Sequence, residues 1–493
     1  MKILKRLFVV ILFLFSCFVI IKYFTAFNNK NILSLKNYDQ DISHWIKKSE
    51  KDFNVDLMPE KVQEIRLQEL FTHYYGEKSP WNKNYINKVL QHKIKDTELD
   101  KIKKFNNKIH STDKAGFGMN YKPYDIKWLN KIKSNINMSQ FDNLNFSKAN
   151  FAISTSNLQG RLLPTNDVFF YDHRKAGEGY PFDNLQASSV WAGTPLYILG
   201  ESKDKAWVLV VNPNFIAWVE SKSIAKVEED FIDQWIKAAK NKLVAITNVD
   251  IPVVDKSNNF AFSGYIGMMF PKNSNNEILV PFKNANNIAV IKYAKLNPDS
   301  FTDIPLKATP HNFVKLLQKL QNRQYGWGGM GFYNDCASEL KNIFLTFGVW
   351  IPIHSSEQVN VKRYNIVVKN LSALSINKRL EYLAKNGHKF MTIIYINGHV
   401  MLYLGNYIDP VSGKDVILTY QNLWGLKVKR SLFHSEGRAI VGGSVIFPLM
   451  DSYPEGENLA AQSSKPLFIL GFLDQVTKKN STDEIDITYL TSP

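Results

Sequence analysis

Cysteine is almost absent from this chain, whose 493 residues include only Cys17 and Cys336. If Cys17 belongs to an N-terminal leader, the rest of the chain holds a single thiol and can form no internal disulfide. Cysteines and histidines are not grouped at the spacing of a zinc site, which argues against a zinc peptidase, and no metal or other cofactor is expected. A lone cysteine is most often a small buried apolar side chain, so the role of Cys336 depends on its context.

The sequence also lacks a basic run interleaved with aromatic residues, the usual mark of a nucleic-acid-binding surface. The formal charge of +16 comes from 61 Lys and Arg against 45 Asp and Glu, and the lysines are spread along the chain. Nucleic acid is therefore not expected as a partner, whereas an anionic cell wall or lipid surface is compatible with this charge.

The N-terminus has the pattern of an export signal, because basic residues precede an apolar run over residues 7–21. We expect residues 1–27 to be a leader and the remainder to be exported to the cell envelope or periplasm. LFSC, residues 14–17, resembles the lipobox of bacterial lipoproteins, which makes Cys17 a lipidation candidate. The alternative is an uncleaved anchor, although the 15 residues of this run, at about 1.5 Å each, fall short of a bilayer core of about 30 Å. In both interpretations, the N-terminus holds the chain at a membrane.

The remaining chain divides into four sections by pattern. Residues 28–149 are mainly helical in periodicity. Residues 150–242 contain short alternating strands typical of a small β-barrel, followed by a connecting helix, and residues 243–300 repeat the short-strand pattern as a second candidate barrel. Residues 301–493 begin with helices and continue with antiparallel-type strands, so this section is predicted to be α+β.

Cys336 opens a predicted helix in the stretch NDCASELKNIFLTFG, residues 334–348. Asn334 or Asp335 can cap this helix, which places Cys336 in its first turn. The unpaired N–H groups and the positive end of the helix dipole favour a thiolate there, so we expect a lowered thiol pKa and a nucleophilic role. Glu339, one turn later, would oppose the thiolate unless its carboxylate points to solvent. The apolar residues recur at the spacing of one buried stripe: Leu340, Ile343, Phe344 and Phe347.

A cysteine nucleophile needs a base, and His399 has the most suitable setting among the ten histidines. It begins an alternating strand directly after Asn397 and Gly398, so a rigid sheet could aim its ring into a cleft. A hairpin histidine that faces solvent is the alternative. Weaker candidates lie in polar, loop-like settings: His354, His388 and His434.

Gln421 could supply a third group. It lies at the end of a strand expected to pair with the His399 strand, and its amide oxygen can accept the second imidazole N–H, as the asparagine does in Cys-His-Asn sites. An ordinary polar residue at a strand end is the alternative.

Four motifs follow one another over residues 308–449: YGWGG, DC before a helix, FGVWIP with a following Ser-Ser-x-Gln, and GHVMLYLG. In this order they resemble the NlpC family of papain-like cell-wall peptidases. The barrel sections resemble bacterial SH3-like barrels of a multidomain branch of that family, and residues 28–149 resemble its N-terminal stabilising segment. The resemblance implies an α+β chain in which a helical segment and two small β-barrels precede a papain-like catalytic domain.

The resemblance also implies an activity, the hydrolysis of the γ-D-glutamyl–diamino acid bond of murein peptides, often with a free N-terminal L-alanine. It makes Cys336 the nucleophile and His399 the base, and it places Gln421 where the family usually has a third histidine. Tyr325 would line the cleft, and Asp335 would help hold the substrate amine, unless it acts only as a helix cap. Two alternatives keep the fold: a wall-binding or scaffold protein with a decayed site, and a thiol acyltransferase.

Overall fold

The computed structural model describes residues 11, 14–18, 30–111, 115–173, 175, 177–428, 437–455 and 459–477. His434 lies outside these residues, and so does most of the predicted leader. In the part of the chain that is described, no helix is long and apolar enough to cross a membrane. The chain combines helices with several antiparallel sheets, which confirms the predicted α+β class.

The described residues of the N-terminal segment include one short strand and five α-helices. They are β1 (Lys30–Ile32), α1 (Ile42–Trp45), α2 (Glu60–Tyr74), α3 (Lys83–Gln91), α4 (Ile94–Ile109) and α5 (Ile126–Asn135). Side-chain caps begin several of these helices, as when the carboxylate of Asp125 accepts the N–H of Trp128 at the start of α5.

The next section forms one seven-stranded antiparallel sheet in the order β4-β3-β7-β6-β5-β2-β8. Its strands are β2 (Phe151–Ser154), β3 (Leu158–Arg161), β4 (Gln186–Val190), β5 (Pro195–Glu201), β6 (Trp207–Val211), β7 (Ile216–Glu220) and β8 (Ile224–Lys226). We call residues 150–226 the first barrel. Helix α6 (Glu229–Asn241) follows it and buries Phe231, Trp235 and Ala239.

The section predicted as a second barrel contains three small sheets, ordered β12-β9-β15, β10-β11 and β13-β14. Their strands are β9 (Leu243–Ile246), β10 (Ile251–Val254), β11 (Phe260–Gly264), β12 (Met269–Pro271), β13 (Ile278–Lys283), β14 (Ala289–Ala294) and β15 (Phe301–Asp303). The last of these strands lies just beyond residue 300 and pairs with the first, so the chain returns to this section before it enters the next.

The C-terminal section packs helices on a seven-stranded sheet ordered β1-β20-β19-β18-β17-β21-β16. Its own elements are α7 (Pro310–Leu320), α8 (Cys336–Thr346), β16 (Val367–Asn370), α9 (Ile376–Asn386), β17 (Thr392–Ile396), β18 (His399–Ile408), β19 (Asp415–Val428), β20 (Gly437–Leu449) and β21 (Phe468–Phe472). The neighbouring strands are antiparallel except β1, which comes from the N-terminal segment and pairs in parallel with β20.

Helix α8 is buried around its whole circumference, and not only along the apolar stripe that the sequence indicates. Its polar residues Ser338, Glu339, Lys341 and Asn342 are buried along with the stripe because other sections of the chain cover the side that was expected to face solvent. Trp191 of the first barrel, for example, donates its indole N–H to the Asn342 side chain at 3.2 Å.

Arg66 of α2 ties the N-terminal segment to the end of the described chain. Its guanidinium is fully buried, donates to the carbonyls of Leu473 at 3.3 Å and Gln475 at 2.8 Å, and pairs with Glu69 at 3.1 Å. It also lies over the ring of Tyr364, 5.3 Å from the centroid. A single side chain therefore satisfies acceptors that would otherwise be buried without a partner.

We expect Arg66→Met to lower the free energy of unfolding by about 2 kcal/mol, because it leaves the buried Leu473 carbonyl, the partly buried Gln475 carbonyl and the Glu69 carboxylate without their donor. The midpoint of urea unfolding followed by tryptophan fluorescence measures this change. Lys61→Met, at an exposed position of the same helix, is the matched control and should leave the midpoint unchanged. Equal midpoints for both variants would contradict the structural role of Arg66.

Candidate active site

Asp335 caps the helix that begins with Cys336. One oxygen of its carboxylate, Oδ1, accepts the N–H groups of Ala337 at 3.1 Å and Ser338 at 2.8 Å, while the Ser338 hydroxyl accepts the N–H of Asp335 at 2.9 Å. This reciprocal pair is a capping box, and it fixes the start of α8. The other oxygen, Oδ2, accepts the N–H of Gly328 at 3.1 Å. Asp335 therefore joins the helix start to the YGWGG turn.

The glycines of that turn let the first barrel approach the site. Gly328 and Gly329 have φ angles of +56° and +77°, and their carbonyls accept hydrogen bonds from Gln186 at 2.9 Å and Ser189 at 3.0 Å. A Cβ atom on Gly329 would lie 1.9 Å from the Ser189 hydroxyl. The turn therefore requires glycine both for its backbone conformation and for its contact with the barrel.

Tyr325, predicted to line the cleft, is 8% exposed. Burial is the main cause of its raised pKa, and the nearby Cys336 and Asp335 raise the pKa further. Aromatic rings continue from it towards the surface, with centroid distances of 6.1 Å from Tyr325 to Trp424 and 5.9 Å from Trp424 to Tyr180. Tyr180 belongs to the first barrel and is 58% exposed. We call the following set the aromatic wall: Tyr180, Phe182, Tyr325, Trp327 and Trp424.

The expected lowering of the Cys336 pKa is wrong in direction. The thiol is 8% exposed, and burial raises its pKa to about 12, with a further rise from the Asp335 carboxylate. Hydrogen bonds from the backbone N–H groups of Val400, Ala337 and Cys336 itself favour the thiolate, as a helix start should, but the loss of water outweighs them. The resting side chain is therefore a neutral thiol at neutral pH.

His399 and Gln421 come together on neighbouring strands, as the sequence predicts. The imidazole Nε2 lies 2.8 Å from the amide Oε1 of Gln421, across the β18–β19 pair. The hydrogen bond from Val400 places the first residues of β18 against the thiol. Burial lowers the pKa of His399 to about 4, so the ring is neutral at neutral pH and can accept a proton. In the described part of the chain, no hydrogen bond joins the Cys336 thiol to the imidazole.

The other histidines have different surroundings. His388 pairs with the Asp474 carboxylate at 2.7 Å, and His311 contacts the Asn54 side chain at 3.1 Å. His354 is the one near the candidate site, since Asp335 acts on its charge, and burial lowers its pKa. Its buried Nε2 has no hydrogen-bond partner among the described residues.

Glu339 does not point to solvent, although the sequence analysis considered a thiolate at Cys336 compatible only with a solvent-facing carboxylate there. Its carboxylate is fully buried, and four neutral side chains donate to it: Ser444 at 2.6 Å, Tyr420 at 2.7 Å, Asn422 at 3.1 Å and Asn334 at 3.3 Å. Burial raises its pKa even so. Glu339 thus connects α8 to β19 and β20.

Sequence reasoning missed the residues that hold Gln421. Its amide contacts the Thr419 hydroxyl at 3.1 Å and forms two hydrogen bonds with the side chain of Gln462, at 2.7 and 3.1 Å. Gln462 is 41 residues further along the chain, in the 3-10 helix Gln462–Ser464. Neither spacing nor periodicity links the two glutamines.

One solved structure is similar to this chain over nearly its whole length. The chain superposes on an NlpC/P60 endopeptidase from Photobacterium damselae subsp. piscicida with a TM-score of 0.78 and 28% identity, over 91% of this chain and 100% of that one. The chain has the fold of an NlpC/P60 endopeptidase. This finding confirms the resemblance that the four motifs indicate.

Two further comparisons concern parts of the chain. A family model described as SH3 domain (SH3b1 type) matches residues 169–220, within the first barrel. An NlpC/P60 family protein from Bacillus cereus ATCC 10987 is 17% identical, with a TM-score of 0.37, over 56% of this chain and 81% of that one. No curated protein sequence matches the chain.

We expect iodoacetamide to alkylate Cys336 slowly at about pH 6 to 8 and faster as the pH rises towards about 10, since the reactive thiolate is scarce below the raised thiol pKa. Mass spectrometry of the peptide that contains Cys336 measures the rate. The same protein unfolded in urea is the control. Its exposed thiol has a pKa of about 8.5, so its alkylation rate should rise at a lower pH than that of the folded protein. A rate plateau between about pH 5 and 8 would instead indicate a preformed thiolate–imidazolium pair.

Proposed function

We propose that the chain is a cysteine peptidase that hydrolyses the γ-D-glutamyl–diamino acid bond of murein peptides. The observation that carries this proposal is the hydrogen bond of 2.8 Å between His399 and Gln421, since the residue after His399, Val400, also contacts the Cys336 thiol through its N–H group. The Cys-His-amide arrangement supports acyl transfer from a carbonyl to water. The SH3b1-type match and the NlpC/P60 endopeptidase fold are in keeping with a substrate from the cell wall.

The buried neutral thiol and neutral imidazole suggest the order of proton transfer. His399 takes the thiol proton as the Cys336 sulfur attacks the γ-carbonyl carbon, so the charge develops only when substrate is present. Backbone N–H groups at the start of α8, including that of Cys336, would stabilise the oxyanion, an interaction worth about 3–4 kcal/mol in other enzymes. The imidazolium then protonates the leaving amine, and water hydrolyses the thioester.

Asp335 has one carboxylate oxygen available for substrate. Oδ1 is committed to the helix cap, whereas Oδ2 accepts one N–H, that of Gly328, and can still accept a second donor. We propose that Oδ2 binds the free amine of an N-terminal L-alanine. The aromatic wall, which includes Tyr325, would border the same cleft.

One observation favours a second candidate function. The Cys336 thiol is 8% exposed and its pKa is raised to about 12, which is also what a wall-binding protein with an inactive site would show. The two functions differ in whether a murein peptide is consumed.

We expect the protein to release the diamino acid from a murein tripeptide with a free N-terminal L-alanine, and Cys336→Ala to abolish the release. His399→Ala should lower the rate by about 10²- to 10⁴-fold, the usual contribution of a general base. Mass spectrometry of the products identifies the bond and separates hydrolysis from transfer to another amine.

His388→Ala is the matched control, because it removes another histidine that has a close polar partner, and its rate should equal that of the wild type. Full activity of the Cys336→Ala protein would exclude the thiol mechanism. Binding of murein peptides without turnover by the wild type would identify the wall-binding function.

We also propose that the chain is exported and held in the cell envelope by its N-terminus, with Cys17 as the lipidated residue. Cys17 lies in a helical stretch and is half-buried. An uncleaved N-terminal anchor would give the same location.

Cells that express the full chain should incorporate radioactive palmitate into the protein, and Cys17→Ser should remove the label, because it deletes the acceptor thiol. Cys336→Ser is the matched control, since it changes the other cysteine of the chain, and it should keep the label. An unlabelled wild-type protein that still sediments with membranes would contradict lipidation and support the uncleaved anchor.

A further inference from the structure

A carboxamide in place of a third histidine creates an ambiguity in the candidate site. The Gln421 side chain can present either its oxygen or its NH₂ group to His399, and the two orientations select opposite tautomers of the neutral ring. With the oxygen towards His399, Nε2 carries the proton and Nδ1 is the free base. With NH₂ towards His399, Nε2 must accept, so the proton moves to Nδ1 and the ring loses its base on that side.

Thr419 favours one orientation. Its hydroxyl donates to the Phe447 carbonyl at 2.6 Å, and that carbonyl can only accept, so the single hydroxyl proton is committed. The oxygen of the same hydroxyl lies 3.1 Å from Gln421 and must act as an acceptor there. The NH₂ group of Gln421 therefore faces Thr419, and its Oε1 faces His399.

Gln462 supports the same orientation from the other side, because a turn of Gln421 alone would set oxygen against oxygen and NH₂ against NH₂ in their pair. Its Nε2 donates to Oε1 of Gln421 at 2.7 Å, and its own Oε1 accepts from Nε2 of Gln421 at 3.1 Å. The two carboxamides form a closed pair in which Gln421 Oε1 accepts from both Gln462 and His399. Both side chains are nearly inaccessible to water, with exposed fractions of 4% for Gln462 and 1% for Gln421, so water cannot replace either partner.

The segment that carries Gln462 is itself held in place. The Tyr453 hydroxyl lies 3.3 Å from Gln462 Oε1, and the buried Arg379 donates to the carbonyls of Ser463 at 2.9 Å and Lys465 at 2.7 Å. The Ser463 hydroxyl donates to the Met450 carbonyl at 2.7 Å. These bonds leave Gln462 little freedom to turn away from Gln421.

We propose that Gln462 is a positioning residue, which, through its paired carboxamide with Gln421, holds His399 as the Nε2–H tautomer with Nδ1 free. The thiol proton of Cys336 then moves to Nδ1, the sulfur electron pair forms the bond to the carbonyl carbon, and Nε2–H stays bonded to Gln421. The catalytic part of this inference rests on the proposed peptidase function, whereas the tautomer itself does not.

The test compares Gln462→Met and Gln462→Glu with the wild-type protein. Methionine keeps the length but neither donates nor accepts a strong hydrogen bond, so His399 should populate both tautomers. A glutamate carboxylate accepts only, so it can still accept from the NH₂ group of Gln421 but no longer donates to its Oε1, and part of the His399 population should shift to the Nδ1–H tautomer. Long-range ¹H–¹⁵N spectra of histidine-labelled protein distinguish the tautomers, with the His399 signals assigned by their loss in His399→Ala.

On a murein tripeptide, both Gln462 variants should lower kcat by about 10- to 100-fold, a usual effect of removing an outer hydrogen-bond partner, with KM unchanged. Gln140→Met is the matched control, because its carboxamide makes comparable hydrogen bonds to Ile136 and Glu201, far along the chain from His399. It should keep both the wild-type tautomer and the wild-type kcat.

An unchanged tautomer and kcat in both folded Gln462 variants would overturn the proposal. If one of them fails to fold, as judged by circular dichroism, the other decides alone, and an unchanged tautomer in that variant would equally overturn the proposal.

The two proposals fail separately. If the wild-type protein cleaves no murein peptide but its His399 tautomer changes in the Gln462 variants, the peptidase function alone is refuted. Cleavage by the wild type, together with a His399 tautomer that stays the same in the Gln462 variants, would refute the positioning role alone.

Discussion

The buried carboxylate of Glu339 is the contact on which the geometry of the site depends. Removing a carboxylate from water is costly, and the compensation that the described residues provide comes from four neutral donors. The donors belong to the loop before α8 and to two strands of the sheet. Because a carboxylate left with fewer donors would be strongly destabilising, helix and sheet are held in one arrangement. That arrangement sets where Cys336 lies relative to β18.

The first barrel takes part in the site more directly than a separate binding domain would. Gln186 and Ser189 bind the carbonyls of the YGWGG turn, and the same turn contributes Gly328 to the carboxylate of Asp335. The barrel therefore acts on the helix cap through one intervening turn. It also supplies Tyr180 and Phe182 to the aromatic wall. The identity of the residues in these barrel loops should influence which substrates reach the thiol.

Local patterns in the sequence were sufficient to predict the structural features that depend only on residues close together in the chain. The cap at Asp335, the helix that starts with Cys336 and the strand that starts with His399 follow from spacing and from known capping preferences. The contact of His399 with Gln421 was also within reach, because it requires only that two consecutive strands pair. The α+β class followed from the order of helices and strands in the last section.

The remaining features depend on contacts between residues far apart in the chain. Whether the thiol pKa rises or falls is decided by how much water the other sections exclude, and a helix periodicity cannot report that. Three of the four partners of Glu339 lie 81 to 105 residues away from it, and the carbonyls that Arg66 binds lie 407 and 409 residues away from that residue. Side chains such as Gln462 look like ordinary polar loop residues until the fold brings them to their partners.

The parallel strand β1 covers part of one edge of the C-terminal sheet. A sheet edge offers a row of unpaired N–H and C=O groups that can recruit strands from other molecules. Lys30, Asn31 and Ile32 pair with Arg438, Ala439 and Ile440, and so cover that part of the edge of β20. The first residues after the predicted leader thus protect the long β19–β20 hairpin from intermolecular pairing. A polypeptide shortened past them would expose this edge and gain a route to self-association.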